Sequence, residues 1–196
     1  HLTDEKPARS FEFTDEDSDI LVDGGLLTVK PVIYAANLDE DGMMNLDTNA
    51  NFAALKKIAD EQGAAVLPVA AKFEEDIAGM EPDEAEMFMA DLGLTETGLD
   101  RLIKTSYDLL GYISFLTAGE DDVHAWTITR GTKAPKAAGK VHSDIERGFI
   151  RAEIVAFDDL KACGSMAAAK EKGLLRLEGK DYVMQDGDIT NFRFNI

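Results

Sequence analysis

The chain places an amide and a carboxylate directly after a run of apolar residues. Residues 32–36 are continuously apolar, Asn37 follows them, and Glu40 comes one short turn later. A run of this kind between Pro31 and a polar cluster is typical of a strand covered on both faces. In open α/β sheets, ligands bind beyond the carboxyl ends of the strands. The sequence therefore predicts a ligand-binding loop that begins at Asn37.

A second apolar strand follows one helix later. Residues 51–62 have their apolar side chains at helical spacing and end at a glycine, and residues 65–71 then have the pattern of a buried strand. A strand, a crossover helix and a parallel strand form a right-handed βαβ unit in nearly all known cases, and the loops after the two strands meet at one edge. We therefore expect Asn37 and Glu40 to lie near the turn Ala70-Ala71-Lys72.

These two loops resemble the base-recognition loops of P-loop GTPases, which carry Asn-Lys-x-Asp and Ser-Ala-Lys. This chain has Asn37-Leu38-Asp39-Glu40 and Ala70-Ala71-Lys72. The missing Lys and the change from Asp to Glu are similar to the Asn-x-x-Glu signature of the YchF branch, the Obg-like ATPases, in which base preference moves from guanine to adenine. By analogy with base-edge recognition, losing a bidentate partner costs about 1–3 kcal/mol of discrimination. Taken alone, residues 37–42 are equally well interpreted as a solvated acidic turn.

Longer motifs extend the resemblance over nearly the whole chain. Residues 94–111 are similar to the segment that closes the nucleotide domain of YchF proteins, and five later segments are similar to the family's TGS domain: residues 115–120, 123–128, 130–135, 148–153 and 182–188. The fold class that this resemblance implies is α/β, with the C-terminal part of a P-loop NTPase Rossmann-like domain followed by a β-grasp (TGS) domain.

The resemblance divides the chain into three parts. Residues 1–28 are expected to be the tail of a helical insertion and the return to the nucleotide domain, residues 29–112 the C-terminal part of that domain, and residues 113–196 the TGS domain. The charge changes at the same boundary. Residues 1–112 hold 8 Lys and Arg against 25 Asp and Glu, a net charge of -17, whereas residues 113–196 hold 12 against 13, a net charge of -1.

The resemblance also implies which residues bind the nucleotide. They are Asn37, Leu38, Glu40, Ala71 and Lys72. Asn37 would hydrogen-bond the purine ring, Leu38 would pack on its face, and Glu40 would help to select the exocyclic group. Ala71 and Lys72 would complete the pocket through their backbone. The Lys72 side chain also has acids at positions 74 and 75 within reach, so an ion pair there is an open alternative.

The phosphate-binding part of such a site does not occur in these 196 residues. No Gly-x-x-x-x-Gly-Lys-Ser/Thr is present, so the amides and Lys that cradle phosphates and the hydroxyl that holds Mg²⁺ are missing. We therefore expect no catalytic residue and no metal ligand here. ATP, with GTP as the second candidate, and Mg²⁺ would bind only with the upstream part of the same protein, and this chain alone would be inactive as an ATPase.

Basic residues concentrate in one segment of the second half. Residues 130–151 carry six cations against Asp144 and Glu146, a local excess of +4: Arg130, Lys133, Lys136, Lys140, Arg147 and Arg151. Such a segment is a candidate contact for phosphate backbone, although scattered cations on a solvated surface are the alternative. The TGS resemblance implies contact with the ribosome, through its large subunit, or with RNA. A stand-alone ribosome-binding or RNA-binding module without hydrolysis is therefore the second candidate function.

The remaining chemistry-bearing side chains are better explained by structure. The single Cys163 has no partner at metal-ligand spacing and is expected to be buried or half-buried. Trp126 is expected in the core rather than stacked with His124 on a base. No apolar stretch approaches the roughly 20 residues of a membrane span, and no secretory leader is visible, so we expect a cytoplasmic protein without membrane contact.

Three further patterns predict local structure. Residues 123–129 alternate as a strand does. Residues 182–194 are predicted to form a hairpin whose turn is Asp186-Gly187-Asp188. Pro82 and the acids after it predict the first turn of a helix, and the methionines at 80, 87 and 89 are expected to fill a core.

Overall fold

The computed structural model describes residues 1–14, 17, 24–119 and 122–195. The sequence has a run of eight acids between Asp4 and Asp23, and four of them, Asp15, Glu16, Asp19 and Asp23, lie outside the described residues. The chain divides into two compact units, His1–Leu109 and Leu110–Ile196. The sequence prediction places this boundary between residues 112 and 113.

The first unit contains the predicted βαβ arrangement. β1 (Ile33–Asn37) and β2 (Ala65–Val69) pair in parallel, with Ile33 opposite Ala65 and Asn37 opposite Val69. The crossover helix, which we label α2 (Ala50–Glu61), begins where the Asn49 side chain accepts a hydrogen bond from the Phe52 N–H. It ends before Gly63, whose φ of 62° is in the left-handed region that favours glycine.

Four further α-helices complete the description of this unit. They are α1 (Glu40–Met44), α3 (Ala71–Ile77), α4 (Pro82–Asp91) and α5 (Gly98–Leu109). Short 3-10 turns lie at Leu2–Asp4, Ala8–Ser10, Leu27–Val29 and Leu46–Thr48. The segment from Ala70 to Lys72, predicted as a turn after a longer strand, is instead the start of α3.

A small apolar cluster holds α1, α3 and α4 together. Met43, Phe73 and Ile77 are buried in it, and Met80 and Met89 pack against it. Met87, however, is 72% exposed, so its predicted core role is wrong. Residues 87 and 89 are two apart on α4, and positions two apart on a helix point to nearly opposite sides.

The second unit contains a five-stranded mixed sheet. Its strands are β3 (Tyr112–Ala118), β4 (Val123–Thr129), β5 (Phe149–Ala156), β6 (Arg176–Glu178) and β7 (Asp188–Phe194). They lie in the order β4-β3-β7-β5-β6. β3 and β7 are parallel, and the other neighbours are antiparallel. The helices are α6 (Ala134–Val141), α7 (Ser143–Arg147), α8 (Phe157–Cys163) and α9 (Met166–Glu171).

The core of the second unit lies between the sheet and α6. Phe115, Ile154 and Phe192 of the sheet pack with Ala137 and Ala138 of the helix, whose small side chains allow close approach. Trp126 is half-buried at the margin of this core, and its indole N–H donates to Thr117 Oγ1 over 2.9 Å. Trp126 thus packs against the core without being buried in it, and its ring centroid also lies 4.1 Å from that of His124. Cys163 is half-buried, as expected.

The predicted hairpin at residues 182–194 is wrong. β7 lies between β3 and β5, and Val183 forms an isolated bridge with Lys133 instead of pairing with β7. The turn before β7 is held by Asp188, which is 2% exposed and accepts from the Gln185 N–H at 2.9 Å. Long-range pairing buries Ile189 and Phe192, and a two-stranded hairpin alone could not achieve this burial.

Within the part of the chain described, no helix combines the length and apolar character needed to cross a membrane.

Candidate functional site

The carboxyl ends of β1 and β2 meet at Asn37 and Ala71. Asn37 Oδ1 accepts a hydrogen bond from the Ala71 N–H at 3.1 Å, and the Leu38 N–H donates to the Val69 carbonyl at 2.8 Å. Both contacts follow from the parallel pairing, because equivalent strand ends lie at one sheet edge. The side chain of Asn37 is exposed. Its amide nitrogen carries two N–H donors, and the bond to Ala71 uses only its oxygen.

Asp39 and Glu40 have different environments although they are adjacent. Asp39 Oδ1 accepts from the Gly42 N–H at 2.8 Å and so caps the start of α1. A Cβ at Gly42 would lie 2.9 Å from this oxygen, so a larger residue here would displace the Asp39 carboxylate. Glu40 is exposed in the first turn of α1. The cap at Asp39 was not predicted, although an Asp before a helix start is a recognised signal.

Leu38 and Lys72 differ in burial at this edge. Leu38 is half-buried and packs against the cluster of α1, α3 and α4. Lys72 is 78% exposed, and its ammonium lies 2.8 Å from Asp76 and 3.8 Å from Glu75. The hydrogen bond and charge of Asp76 raise the pKa of Lys72. Lys72 therefore forms an ion pair, which was the open alternative. Its closest partner is Asp76, whereas Glu74 contacts Gly98 and Arg101 instead.

Glu74 links the edge of the sheet to α5. Its Oε1 accepts a hydrogen bond from the Gly98 N–H at 2.6 Å and lies 3.9 Å from Arg101 Nη2. A Cβ at Gly98 would lie 2.7 Å from the same oxygen. Since Glu74 is on α3, whose first residue is Ala71, this contact couples the helix that meets Asn37 to the start of α5. No local pattern connects positions 74 and 98, so this contact is not predictable from the sequence alone.

Most of the basic candidates in the second unit form ion pairs. Four of the six pair with acids: Lys133 with Asp181 at 2.8 Å, Lys136 with Glu146 at 2.6 Å, Arg147 with Asp144, and Arg151 with Glu153 at 3.8 Å. Asp181 and Glu153 lie outside residues 130–151, so folding reduces the local excess of positive charge. Lys140 is exposed, and no ion pair involves it in the described ranges. Arg130 is exposed and has a contact of its own.

Acidic side chains are abundant, but those in the described ranges do not form a group of three or more His, Cys, Asp or Glu able to hold a metal ion.

The chain is similar to proteins of known sequence and structure. Residues 112–195 match the family described as YchF-GTPase_C, a protein of unknown function. The chain is 53% identical over 192 residues to the ribosome-binding ATPase YchF of Bacillus subtilis (strain 168), covering 98% of this chain and 52% of that protein. It is 41% identical over 196 residues to Obg-like ATPase 1 of Oryza sativa subsp. japonica, covering 100% of this chain and 50% of that protein.

Two solved structures are also similar. The YchF GTPase of Schizosaccharomyces pombe has 34% identity and a TM-score of 0.77, over 97% of this chain and 50% of that one. A GTP-binding protein from Pyrococcus horikoshii OT3, with 21% identity and a TM-score of 0.55 over 85% of this chain and 46% of that one, shares the fold. The chain thus spans about half the length of the relatives it matches.

Proposed function

Because this chain carries the C-terminal domain of the YchF family and matches the C-terminal half of YchF-type Obg-like ATPases, we propose that it forms part of a ribosome-associated ATPase. The first unit supplies the base-recognition loops, and the second unit contacts the ribosome. Binding and hydrolysis of ATP depend on an upstream P-loop.

The hydrogen bond from Ala71 to Asn37 supports the nucleotide-binding role more than any other contact. It holds the Asn37 oxygen on a backbone donor, so the Nδ2 donors remain for a ligand. Adenine and guanine both present N7 as an acceptor. Asn37 therefore fits a purine of either kind, and it binds the ring without selecting the base.

Glu40 is suited to the selection of adenine. Its exposed carboxylate follows Asn37 by one turn, and an ionised carboxylate only accepts hydrogen bonds. Adenine presents a donor, the N6 amino group, at the position where guanine presents the O6 acceptor. A carboxylate at this position thus attracts the adenine edge and repels the guanine O6.

The described surface of the first unit is consistent with an upstream partner segment. β1 and β2 form a sheet of two strands, and three apolar residues of α5 are 40–65% exposed: Leu99, Leu102 and Ile103. Strands of a larger parallel sheet and a helix on its face would bury these groups. In the proposed whole protein, the upstream residues bring the phosphate-binding loop and the ligands of Mg²⁺, while Asn37, Leu38, Glu40, Ala71 and Lys72 hold the base.

Contact with the ribosome is the proposed role of the second unit. Relatives of the chain carry the name ribosome-binding ATPase, and the candidate contact residues extend from Arg130 through α6 and α7 to Arg151. Because four of these cations are already in ion pairs, a purely electrostatic RNA contact has less free charge than the sequence implies. The alternative of a module that binds RNA without any nucleotide site depends on the same cations.

Calorimetry with ATP and GTP tests the proposal. The titrations use this chain and a version extended upstream to include a P-loop. We expect tight ATP binding only by the extended version, at least tenfold weaker binding after Asn37→Ala, and a smaller preference for ATP over GTP after Glu40→Ala. Asn51→Ala, an exposed amide on α2, is the matched control and leaves binding unchanged. Equal affinities for both bases in all variants, or no binding by the extended version, would refute the proposal.

A further inference from the structure

A groove in the first unit is lined by α4, by the segment that follows it and by the first turn of α5. Its volume is about 460 Å³, which is within the usual range for sites that hold a ligand. α4 contributes Glu86 and Met89, and the following residues contribute Leu94, Glu96 and Asp100 together with two threonines. The groove therefore combines two apolar side chains with three carboxyl groups.

The apolar part of the groove consists of Met89 and Leu94. Both are half-buried, and they pack against the cluster of α1, α3 and α4. Because they also line the groove, part of their apolar surface is open to a ligand. A lysine side chain has methylene groups that can cover such a surface and a charged head that stays in water. The groove thus favours a ligand with an apolar stem and a charged end.

The carboxyl groups determine that this charge is positive. Glu86 and Asp100 are exposed, and neither forms an ion pair within the described ranges. Thr97 donates to one oxygen of Asp100 at 2.8 Å, so the other oxygen keeps its lone pairs for a ligand. Glu96 is paired with Lys104. Three carboxylates thus face one ammonium group, and the groove keeps a negative charge.

Lys104 shows which chemistry this groove attracts. Its ammonium group donates to Glu96, and the hydrogen bond and charge of Glu96 raise the pKa of Lys104, with a further contribution from Asp100. The Lys104 side chain is 68% exposed, and an exposed ion pair is weak enough to exchange. The same acids can therefore accept an ammonium group from a second polypeptide.

Acids continue along α4 beyond the groove. Asp83 is exposed and lies three positions before Glu86, so the two carboxylates are neighbours on one side of the helix. Residues 1–112 have a net charge of -17. A ligand with several positive charges therefore gains more from this surface than a single ammonium ion does. The same charge repels RNA and acidic peptides.

We propose that the groove between α4 and α5 binds a lysine-rich segment of a partner protein. The methylene groups of one lysine lie over Met89 and Leu94, and its ammonium group contacts Glu86 and Asp100. Neighbouring lysines of the segment face Asp83 and the other acids of α4. The inference goes beyond nucleotide binding and does not require it.

Fluorescence anisotropy without nucleotide tests the inference, on this chain and on the version extended upstream. The probe is a fluorescein-labelled peptide of four Lys-Ser repeats, and the comparison probe has four Glu-Ser repeats. We expect both proteins to bind the basic peptide and neither to bind the acidic one. The double variant Glu86→Gln with Asp100→Asn should weaken binding about tenfold. The matched control, Asp60→Asn with Glu61→Gln, removes two exposed charges from α2 and should leave binding nearly unchanged.

A second peptide separates binding in the groove from general attraction to an acidic protein. It has 2,4-diaminobutyric acid in place of lysine, which keeps the charge at pH 6 and removes two methylene groups. We expect it to bind about threefold more weakly at that pH, because less stem covers the apolar side chains.

Four outcomes would overturn the inference. They are no binding of the basic peptide, an equal loss of binding in the control double variant, equal affinities for the two basic peptides, and binding by this chain but not by the extended version. The last outcome would assign the groove to the upstream part of the same protein. Spermidine that displaces the peptide at equal concentration would assign the groove to a polyamine and likewise overturn the inference. Since no titration contains nucleotide, these results are independent of the ATPase proposal.

Discussion

At the scale of single residues, the acids around the candidate site differ in what they contact. Asp39 accepts a hydrogen bond from Gly42 and caps α1, Glu74 accepts from Gly98 and meets α5, and Glu40 is exposed. A carboxylate that is engaged by a backbone donor stabilises the local structure. Asp39 and Glu40 are both exposed, but the Gly42 N–H engages Oδ1 of Asp39, so Glu40 is the better placed of the three acids to contact a ligand.

Two substitutions test the cap formed by Asp39, because one removes the hydrogen-bond acceptor and the other removes only the charge. Asp39→Ala removes the acceptor for the Gly42 N–H and should destabilise α1 by about 1 kcal/mol. Asp39→Asn keeps an acceptor and should cost much less, since Asn is an equally good cap. Hydrogen exchange of the Gly42 and Met43 amides measures this effect. Equal exchange rates in both variants would show that the cap is unimportant.

The ion pair between Glu153 and Arg193 predicts a dependence of stability on pH. Arg193 donates to Glu153 at 2.9 Å, and this hydrogen bond lowers the pKa of Glu153, with a further contribution from the charge of Arg193. A carboxyl whose pKa is lower in the folded state contributes stability above its unfolded pKa of about 4.3, and it loses that contribution as the pH falls through the folded pKa.

We therefore expect Glu153→Gln to be less stable than the wild type at pH 7 and nearly equal to it near pH 2. Urea unfolding of the chain, followed by Trp126 fluorescence, measures the difference. Glu171→Gln, an exposed acid on α9, is the control and should show no such trend. A constant difference between wild type and Glu153→Gln at all pH values would contradict the assignment.

At the scale of secondary-structure elements, buried carboxylates fix loops that have no regular structure of their own. Asp188 at the start of β7 is 2% exposed. It accepts from Arg176 at 3.0 Å and from the Tyr182 hydroxyl at 2.8 Å. Burial and the bond to Asp188 raise the pKa of Tyr182, so this hydroxyl stays protonated as the donor. The segment from β6 to β7 thus folds around one acceptor instead of forming the predicted hairpin.

Asp188→Asn should lower the free energy of unfolding, although Asn has nearly the same shape as Asp. Its neutral amide loses the charge that Arg176 faces and presents N–H groups to donors, so we expect a loss of about 2–3 kcal/mol. Asp158→Asn, on an exposed position in the first turn of α8, is the matched control. Urea unfolding of both variants gives the comparison, and equal midpoints would show that the Asp188 contacts are not stabilising.

The contact between α3 and α5 leads to a prediction about coupling of two helices. Glu74→Ala removes the acceptor for the Gly98 N–H and should reduce the stability of the first turn of α5 by about 1 kcal/mol. Glu74→Gln keeps an oxygen acceptor and should preserve most of it. Hydrogen exchange measured by mass spectrometry over residues 94–102 reports the effect. Glu75→Ala, at a 78% exposed position, should leave this exchange unchanged.

At the scale of the whole molecule, the two units differ in how completely they bury their apolar surface. The second unit has a five-stranded sheet with a continuous core. The first has a two-stranded parallel sheet and exposed apolar side chains on α5. Two strands rarely suffice for independent stability, and an unpaired edge favours association.

We therefore expect residues 110–196 to be monomeric and to unfold cooperatively when produced alone. Residues 1–109 alone are expected to aggregate or to unfold without a sharp transition. Light scattering after size-exclusion chromatography, together with thermal melts, distinguishes these behaviours. A monodisperse, cooperatively folded first unit would contradict the proposal that it is completed by an upstream segment.

What the sequence determined by itself is the local structure and the class of fold. The apolar run at residues 32–36, the helical spacing at 51–62 and the alternation at 123–129 predict β1, α2 and β4, because burial periodicity is a local property. The proximity of Asn37 to Ala71 follows from the parallel direction of the two strands in a βαβ unit, which places their carboxyl ends at one edge. The motifs indicated the family, whereas the amino-acid composition alone does not identify one.

Only the tertiary structure decided which distant groups pair. Three pairs join residues that are distant along the chain: Glu74 with Gly98, Lys133 with Asp181, and Asp188 with Arg176. Each of these acids has other cations or donors closer to it in the sequence. The place of β7 between β3 and β5 was likewise not predictable from its local turn residues. Such pairings minimise the free energy of the whole fold, in which burial of Ile189 and Phe192 outweighs the preference of one turn, so no local window of sequence encodes them.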